Sequence, residues 1–469
     1  MQKTFIGPHL RRLRLERSET QAAMAKVLGI SPSYVNLLEN NERSVSVQVL
    51  LRLFEAYGVD WRDIAEEEGT SQLADLRAVM QDPLFTDTRP DLPQLRAALV
   101  HAPGVVQSFL TLHRAYQAAT DQLLSVAQSD AGPGAPQLSA SPEAAVHDYF
   151  RRHRNHFRDL EEAADAFWGS ERIEPDEIYV ALKRRLRDTV GVTVRLSHVE
   201  DLPGALRQYD EARREILLSE ALDHTNRTFQ LVHMAGLLER RDLLDGMVAK
   251  SGISDPRGTA RLRVELANYF AAAVLMPYDA YLAEARATKY DLDHIATRFG
   301  VSYQQACHRA TTLQRDGAQG VPFFFLRIDK GGNVTKRFNA TGFHLAEYGG
   351  ACPRLEVHTS FRTPGRIVPQ FVEMPDRSQF FVFSRTVDRP TWARHAQDNR
   401  LSVAMGCAVE HAPSIGYAEA FSIGGTPVTP IGINCRICPR ANCDQRAHHA
   451  AILTQPVDER RRGATRYDV

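Results

Sequence analysis

The chain has 469 residues, 43% hydrophobic and 24% charged, with 57 basic side chains balanced by 57 acidic ones. That is a globular composition, long enough for two to four domains at about 100–200 residues each. Zero net charge excludes a globally basic nucleic-acid binder, so any DNA-reading surface must be local; no apolar run reaches the roughly 20 residues of a membrane span, and MQKTFIGPHLRRLRLERSE lacks the apolar core of a secretory signal, which points to a cytoplasmic protein.

Short amphipathic helices with tight turns are expected from Phe5 to about Asp63, giving a first domain over 1–66. Its strongest motif is TQAAMAKVLGISPSYVNLLENNER, Thr20 to Arg43. Thr20 is a good N-cap, and Met24, Ala25 and Leu28 share one helical face. Gly29 suits the positive φ of a helix C-terminus. Ser31 caps a second helix, with Pro32 at its first position. Val35 and Leu38 point inward, which leaves Ser31, Ser33, Tyr34 and Asn36 outward near the leading end of a recognition helix. Short polar side chains there reach base edges and phosphates. Gln21 opens the preceding helix, where its amide can bond a phosphate. Arg11, Arg12, Arg14, Arg17 and Arg43 supply backbone affinity. The expected partner is double-stranded DNA, read through a helix-turn-helix.

A helical segment over 67–128 follows, with heptad-like apolar spacing around Val105–Leu124. SDAGPGAPQLSASP reads as a flexible linker over 129–142. Ser141-Pro142-Glu143 opens a long helix towards Trp168. The next domain, 143–320, mixes helix and strand. VTVRL (Val192–Leu196) and REILLS (Arg214–Ser219) alternate as strands do, and helices are expected at Thr228–Leu238, Ala260–Leu275 and Leu292–Gln314. A last domain spans 321–455. PFFFLRIDKGGNVTKRF reads as a hairpin and FVEMPDRSQFFVFSRTV, from Phe371, as a second. The tail, 456–469, is polar. The fold class is multidomain, mainly α with α+β parts.

Two groups of residues are weighed for metal chemistry, the first only because its segment resembles a metallopeptidase and the second on its own spacing. His233 lies in His233-Met234-Ala235-Gly236-Leu237 on a helix pattern. Glu265 is a conceivable second ligand, although a Glu on a helix reads first as a solvated face and His233 as a satisfied core histidine. The second group is GINCRICPRANCDQRAHH: Cys435, Cys438 and Cys443 in a C-x2-C-x4-C run, with Cys407 upstream in AMGCAVEH as the fourth thiolate and Cys352, in GGACPRL, as its rival. In a reducing compartment such a cluster reads as a metal centre rather than as disulfides. Ligand grounds favour a [4Fe–4S] cluster, with zinc as the alternative. Arg436, Arg440 and Arg446 would offset thiolate charge. Cys307 reads as packing.

Residues 5–62 closely resemble the lambda-repressor-like XRE family, which implies a homodimer on a palindromic operator. RQYDEARREILLSEAL, FQLVHMAGLLE and ELANYFAAAVLMP, within 207–280, resemble ImmA/IrrE-type zinc metallopeptidases. Those need His-Glu-x-x-His on one helix, and here Met234 replaces the general base and Leu237 the second ligand. The domain therefore reads as degenerate, with no catalytic residues. CRICPRANC is similar to the cluster-binding element of WhiB-like regulators, with one residue fewer before the last Cys. The whole order, with ACPR, FRTPGRIVPQ and EMPD in the last domain, resembles the short-chain fatty acyl-CoA regulator family of XRE-type transcription factors. That implies control of propionate, acetate or related acyl-CoA metabolism, with an acyl-CoA or organic-acid effector. Lys336, Arg362 and Arg366 could meet a phosphate-bearing ligand, but solvated surface basics are the first reading. The competing class is an ImmA/IrrE-type peptidase cleaving a partner repressor, against which the missing Glu and His argue.

Overall fold

The computed structural model describes residues 7–17, 19–40, 43, 45–57, 73–80, 82, 85, 90–126, 142–169, 173, 177–341, 343, 350–389, 399–421 and 425–450. The expected linker up to Ser141, the tail over 456–469 and the Arg12 side chain lie outside the described residues. The chain divides into two units, Met1–Thr120 and Asp121–Val469. Among the described residues no helix is long and apolar enough to cross a membrane.

The first unit is helical: α1 (Gly7–Glu16), α2 (Gln21–Leu28), α3 (Pro32–Glu39), α4 (Val47–Tyr57), α5 (73–79), α6 (Leu92–His101) and α7 (Pro103–Val126). Met24, Ala25 and Leu28 of α2 meet Val35 and Leu38 of α3 and Val49, Leu50 and Leu53 of α4 in one core. A second, smaller core joins Leu76 and Val79 to Leu95, Val106 and Leu110.

The second unit begins with α8 (Pro142–Arg152) and α9 (Arg158–Asp165). The expected continuous helix towards Trp168 is thus broken. Arg154 and Asn155 adopt positive φ, 51° and 57°, and Asn155 is buried in the corner. After α10 (Ile178–Val190) come β1 (Thr193–Ser197), β2 (Arg207–Asp210) and β3 (Glu215–Ser219), in a sheet ordered β1-β3-β2. β1 runs parallel to β3 and β2 antiparallel. The helices α11 (His224–Glu239), α12 (Arg241–Lys250), α13 (Pro256–Leu275), α14 (Tyr278–Ala287), α15 (Leu292–Phe299) and α16 (Tyr303–Ala310) follow. The helix expected over Leu292–Gln314 is split because Gly300 takes a left-handed conformation (φ 61°) and Ser302 caps a new helix through the Gln305 amide, at 3.2 Å.

Both expected hairpins form. β4 (Phe324–Ile328) pairs with β5 (Val334–Asn339), and β6 (Val368–Glu373) with β7 (Gln379–Val387). With β8 (Leu401–Ala408) and β9 (Thr429–Pro430) they make a sheet ordered β5-β4-β8-β7-β6-β9. Both faces are covered. Side chains alternate across a strand, so Phe325, Phe381, Phe383, Met405 and Cys407 join the helical core. Phe324, Phe380, Val382 and Ala404 pack on the other side with Cys352 and Ile431.

The helical core also encloses an ion pair. Arg309 of α16 donates to Glu161 of α9 at 2.6 and 2.9 Å, and Tyr269 of α13 donates to the same carboxylate at 2.5 Å. Burial alone would raise the Glu161 pKa, but Arg309 outweighs it and holds the carboxyl below its ordinary value.

Candidate nucleic-acid interface and thiol site

The turn between α2 and α3 is built as its residues require. Thr20 Oγ1 accepts from the Ala23 amide at 3.2 Å and Ser31 Oγ from the Tyr34 amide at 3.1 Å. Gly29 sits at φ 63°. Arg52 of α4 donates to the Leu28 and Gly29 carbonyls at 2.7 and 3.2 Å, satisfying groups that the end of α2 leaves unpaired. Ser31, Ser33 and Asn36 are exposed and Tyr34 is half-buried, so the leading end of α3 is open to a ligand. Arg11 and Arg43 are exposed as well.

Sequence reasoning missed Glu39, which organises this face. It lies on α3, 6% exposed. Arg14 donates to it at 2.6 and 3.1 Å, and Gln21 Nε2 at 2.8 Å. Gln21 Nε2 also reaches Asn36 Oδ1 at 3.4 Å, and Asn40 donates to that oxygen at 3.2 Å. Burial would raise the Glu39 pKa; the bonds from Arg14 and Gln21 lower it below the ordinary carboxylate value. Arg14 is therefore a clamp from α1 to α3, where the sequence suggested a phosphate contact. A salt-bridged carboxylate on the inner flank of α3 fixes the helix that carries Ser33 and Asn36.

A second segment repeats the same local chemistry. α15, Gly300, Ser302 and α16 match α2, Gly29, Ser31 and α3 in helix length, with eight residues in each, and in the left-handed glycine. Their exposure differs. Cys307 and Arg309 of α16 are fully buried, so only the first segment presents its second helix.

Among the described residues, the peptidase-like side chains do not gather three metal-ligating groups. His233 of α11 is 2% exposed, and its Nδ1 bonds Asn268 Oδ1 at 2.8 Å. Its Nε2 has no hydrogen-bond partner among the described residues, so it is a half-satisfied core histidine. Burial, with Arg207 nearby, pushes it down to about 3, neutral at pH 7. Glu265 of α13 is buried rather than solvated. Asn268 donates to it at 3.2 Å, Arg261 approaches at 3.1 Å, and Lys336 from β5 at 3.4 Å. Burial opposes ionisation, but Lys336 and Arg261 bring the carboxyl down to about 2. Lys336 is thus an inward-facing partner, against the surface reading, while Arg362 and Arg366 are exposed. The ammonium supplies at Glu265 the positive charge that a metal ion would bring.

The thiols divide differently from the sequence expectation. Cys407 is fully buried on the helix-facing side of β8, where burial raises its pKa well above the ordinary thiol value. Strand alternation points it away from the other face, where Cys352 packs. Cys352, Cys435, Cys438 and Cys443 line one cavity with Arg440 and Arg446. Cys352 replaces Cys407 as the fourth thiol of this group. The signal lay in LSVAMGCA: Val403, Met405 and Cys407 fall on one side at period two.

The cavity is furnished for sulfur. The Gly432 amide donates to Cys352 Sγ and the Ala447 amide to Cys435 Sγ, both at 3.5 Å. Gly432 has to be glycine, since a Cβ there would sit 2.5 Å from Cys438 Sγ. Arg446 is 4% exposed; it bonds the carbonyls of Cys435 (3.0 Å) and Arg440, and its Nε has no partner among the described residues. Arg440 bonds the carbonyls of Ile431 and Glu373 at 2.7 and 2.8 Å. Burial pushes the Cys352 thiol up to about 11 and raises Cys438 as well. A buried guanidinium beside four thiols, held by carbonyls among the described residues, suits an anionic thiolate-bound centre. Among the described residues, no three His, Cys, Asp or Glu side chains converge as the ligands of one ion would.

An open recognition helix clamped on a helix-turn-helix core defines a DNA-binding transcription regulator. The comparisons agree: residues 10–64 match the helix-turn-helix family, 187–311 the IrrE N-terminal-like domain, and 312–467 the short-chain fatty acyl coenzyme A regulator C-terminal family. The chain is 37% identical to the propionyl-CoA carboxylase regulator of Cereibacter sphaeroides, over all of this chain and 99% of that protein. It is 35% identical to the HTH-type transcriptional regulator RamB of Mycobacterium tuberculosis, again over all of this chain and 99% of the relative. A solved Mycobacterium tuberculosis transcriptional regulator superposes with a TM-score of 0.65 at 32% identity, covering 70% of this chain and 100% of that one. The chain belongs to the short-chain fatty acyl coenzyme A regulator family.

Proposed function

We propose that this protein controls genes of short-chain acyl-CoA and carboxylic acid metabolism as a cytoplasmic homodimer on palindromic duplex sites, responding to an acyl-CoA or organic-acid effector. The observation that carries the DNA-reading part is the open leading end of α3, with Ser33 and Asn36 exposed and the helix locked by Glu39. The metabolic part rests on family membership and on a relative named for propionyl-CoA carboxylase. The peptidase-like lobe acts without hydrolysis, because Met234 and Leu237 stand where a general base and a second metal ligand are needed.

Cys352, Cys435, Cys438 and Cys443 would hold a [4Fe–4S] cluster, which supplies delocalised charge and ties the loops around residues 352, 435 and 443 together. The four thiols that line one cavity, three of them in a C-x2-C-x4-C run, support this reading on ligand grounds, with a structural zinc as the alternative. Anaerobic purification should give a brown protein holding iron and sulfide, and removing them should change affinity for duplexes the protein selects from a randomised pool. A colourless protein with stoichiometric zinc refutes the cluster, equal affinity of both forms at fixed salt refutes the coupling, and failure to select any duplex refutes the regulatory reading.

A further inference from the structure

The 24 residues of α7 make a rod about 36 Å long with two apolar faces. One is used: Val106 and Leu110 are buried against Leu76, Val79 and Leu95. On the other, Val105 is 70% exposed, Leu112 68% and Tyr116 44%. With the half-buried Phe109 they follow a four-three-four spacing. That is the a/d repeat of a helix that pairs with another helix.

Two observations fix the kind of partner. Between Gly104 and Tyr116 no exposed residue is charged, in a protein with 24% charged residues. A charged partner would find nothing there to pair with, whereas an identical helix meets no like-charge repulsion. Two hydroxyls of this helix are already satisfied within it: Ser108 donates to the Gly104 carbonyl at 2.9 Å and Thr111 to the Gln107 carbonyl at 2.8 Å. Covering these two hydroxyls therefore leaves neither unpaired.

We infer that the outer face of α7 is the seam on which two copies of the chain pair, α7 against α7, joining their DNA-reading helices into one two-headed reader. The seam gives the homodimer proposed above its surface and rests on that reading. The test places the photo-crosslinking amino acid p-benzoylphenylalanine at position 112 of the full chain. A product of twice the chain mass, with its crosslink mapped from α7 to α7, is expected; a crosslink to any other segment, or none above that at the exposed control position Lys26, overturns the seam.

In parallel, Leu112→Glu should weaken binding to a selected two-half-site duplex on the order of a hundredfold, the scale of lost effective concentration, and leave binding to one half-site within about twofold. Unchanged two-half-site affinity with a normal circular dichroism spectrum also overturns it. If the parent chain selects no duplex, the regulatory reading fails while the mapped crosslink still decides the seam.

Discussion

Removing the carboxylate of Glu39 should loosen the recognition helix more than any change on its outer surface. The Glu39 side chain is 3% exposed and that of its partner Arg14 12%, and it accepts two bonds from Arg14 and one from Gln21. In Glu39→Ala the guanidinium stays half-enclosed without an anion, and breaking a buried pair from one side costs about 3–5 kcal/mol. A unit of this size holds about 5–15 kcal/mol in all. At roughly 1.4 kcal/mol per factor of ten, amide exchange protection in α2 and α3 should fall by about a hundredfold to several thousandfold. Hydrogen-exchange mass spectrometry on the full chain reads this directly. Glu39→Gln, which keeps one acceptor and loses the charge, should fall between. The pH dependence has a definite sign. The folded carboxyl lies below its unfolded value, so its contribution is complete above the ordinary carboxylate range, about 4.3, and is lost as pH drops through the lowered folded value. A change in Glu39→Ala of no more than about twofold, the size of an ordinary surface substitution, would falsify the clamp.

Three further outcomes follow from the geometry. Ser33→Ala and Asn36→Ala should each cost about 1–3 kcal/mol on selected duplexes and little on random ones, whereas Arg43→Ala should weaken both alike and reduce the salt slope by about one; salt-titrated gel shifts separate the two patterns. Cys352→Ala should abolish the iron or zinc content of the purified protein and Cys407→Ala should retain it, as metal analysis will show; the reverse result would restore Cys407 as a ligand. Glu161→Gln should destabilise the second unit by about 3–5 kcal/mol, because Arg309 is left buried without its anion; a urea midpoint unchanged from the parent would contradict this.

What the sequence made legible was turn chemistry. Thr20, Gly29, Ser31 and Pro32 define the α2–α3 corner by local rules, and local rules are what a sequence displays. The same rules operate at Gly300 and Ser302, where the expected single helix splits. They carry no information on exposure: Asn36 faces outward and Cys307 inward because of what packs over each helix, which is decided by segments far away in the chain. The fourth thiol was misplaced for a related reason. Proximity in sequence favoured Cys407, while the sheet places Cys407 on one face and Cys352 on the other. Glu39 was missed and Lys336 read as a surface basic because a charge in a polar pattern looks solvated until its distant partner, Arg14 or Glu265, is in place.

Lys336 changes what this lobe depends on. An ion in a peptidase can be stripped by a chelator or lost when supplies fall, and the scaffold around it then softens. Here the balancing cation is a side chain, permanently tethered to the neighbouring sheet and delivered with every molecule synthesised. The lobe has exchanged a detachable part for a built-in rivet, and its two layers are fastened whatever the cell's metal supply.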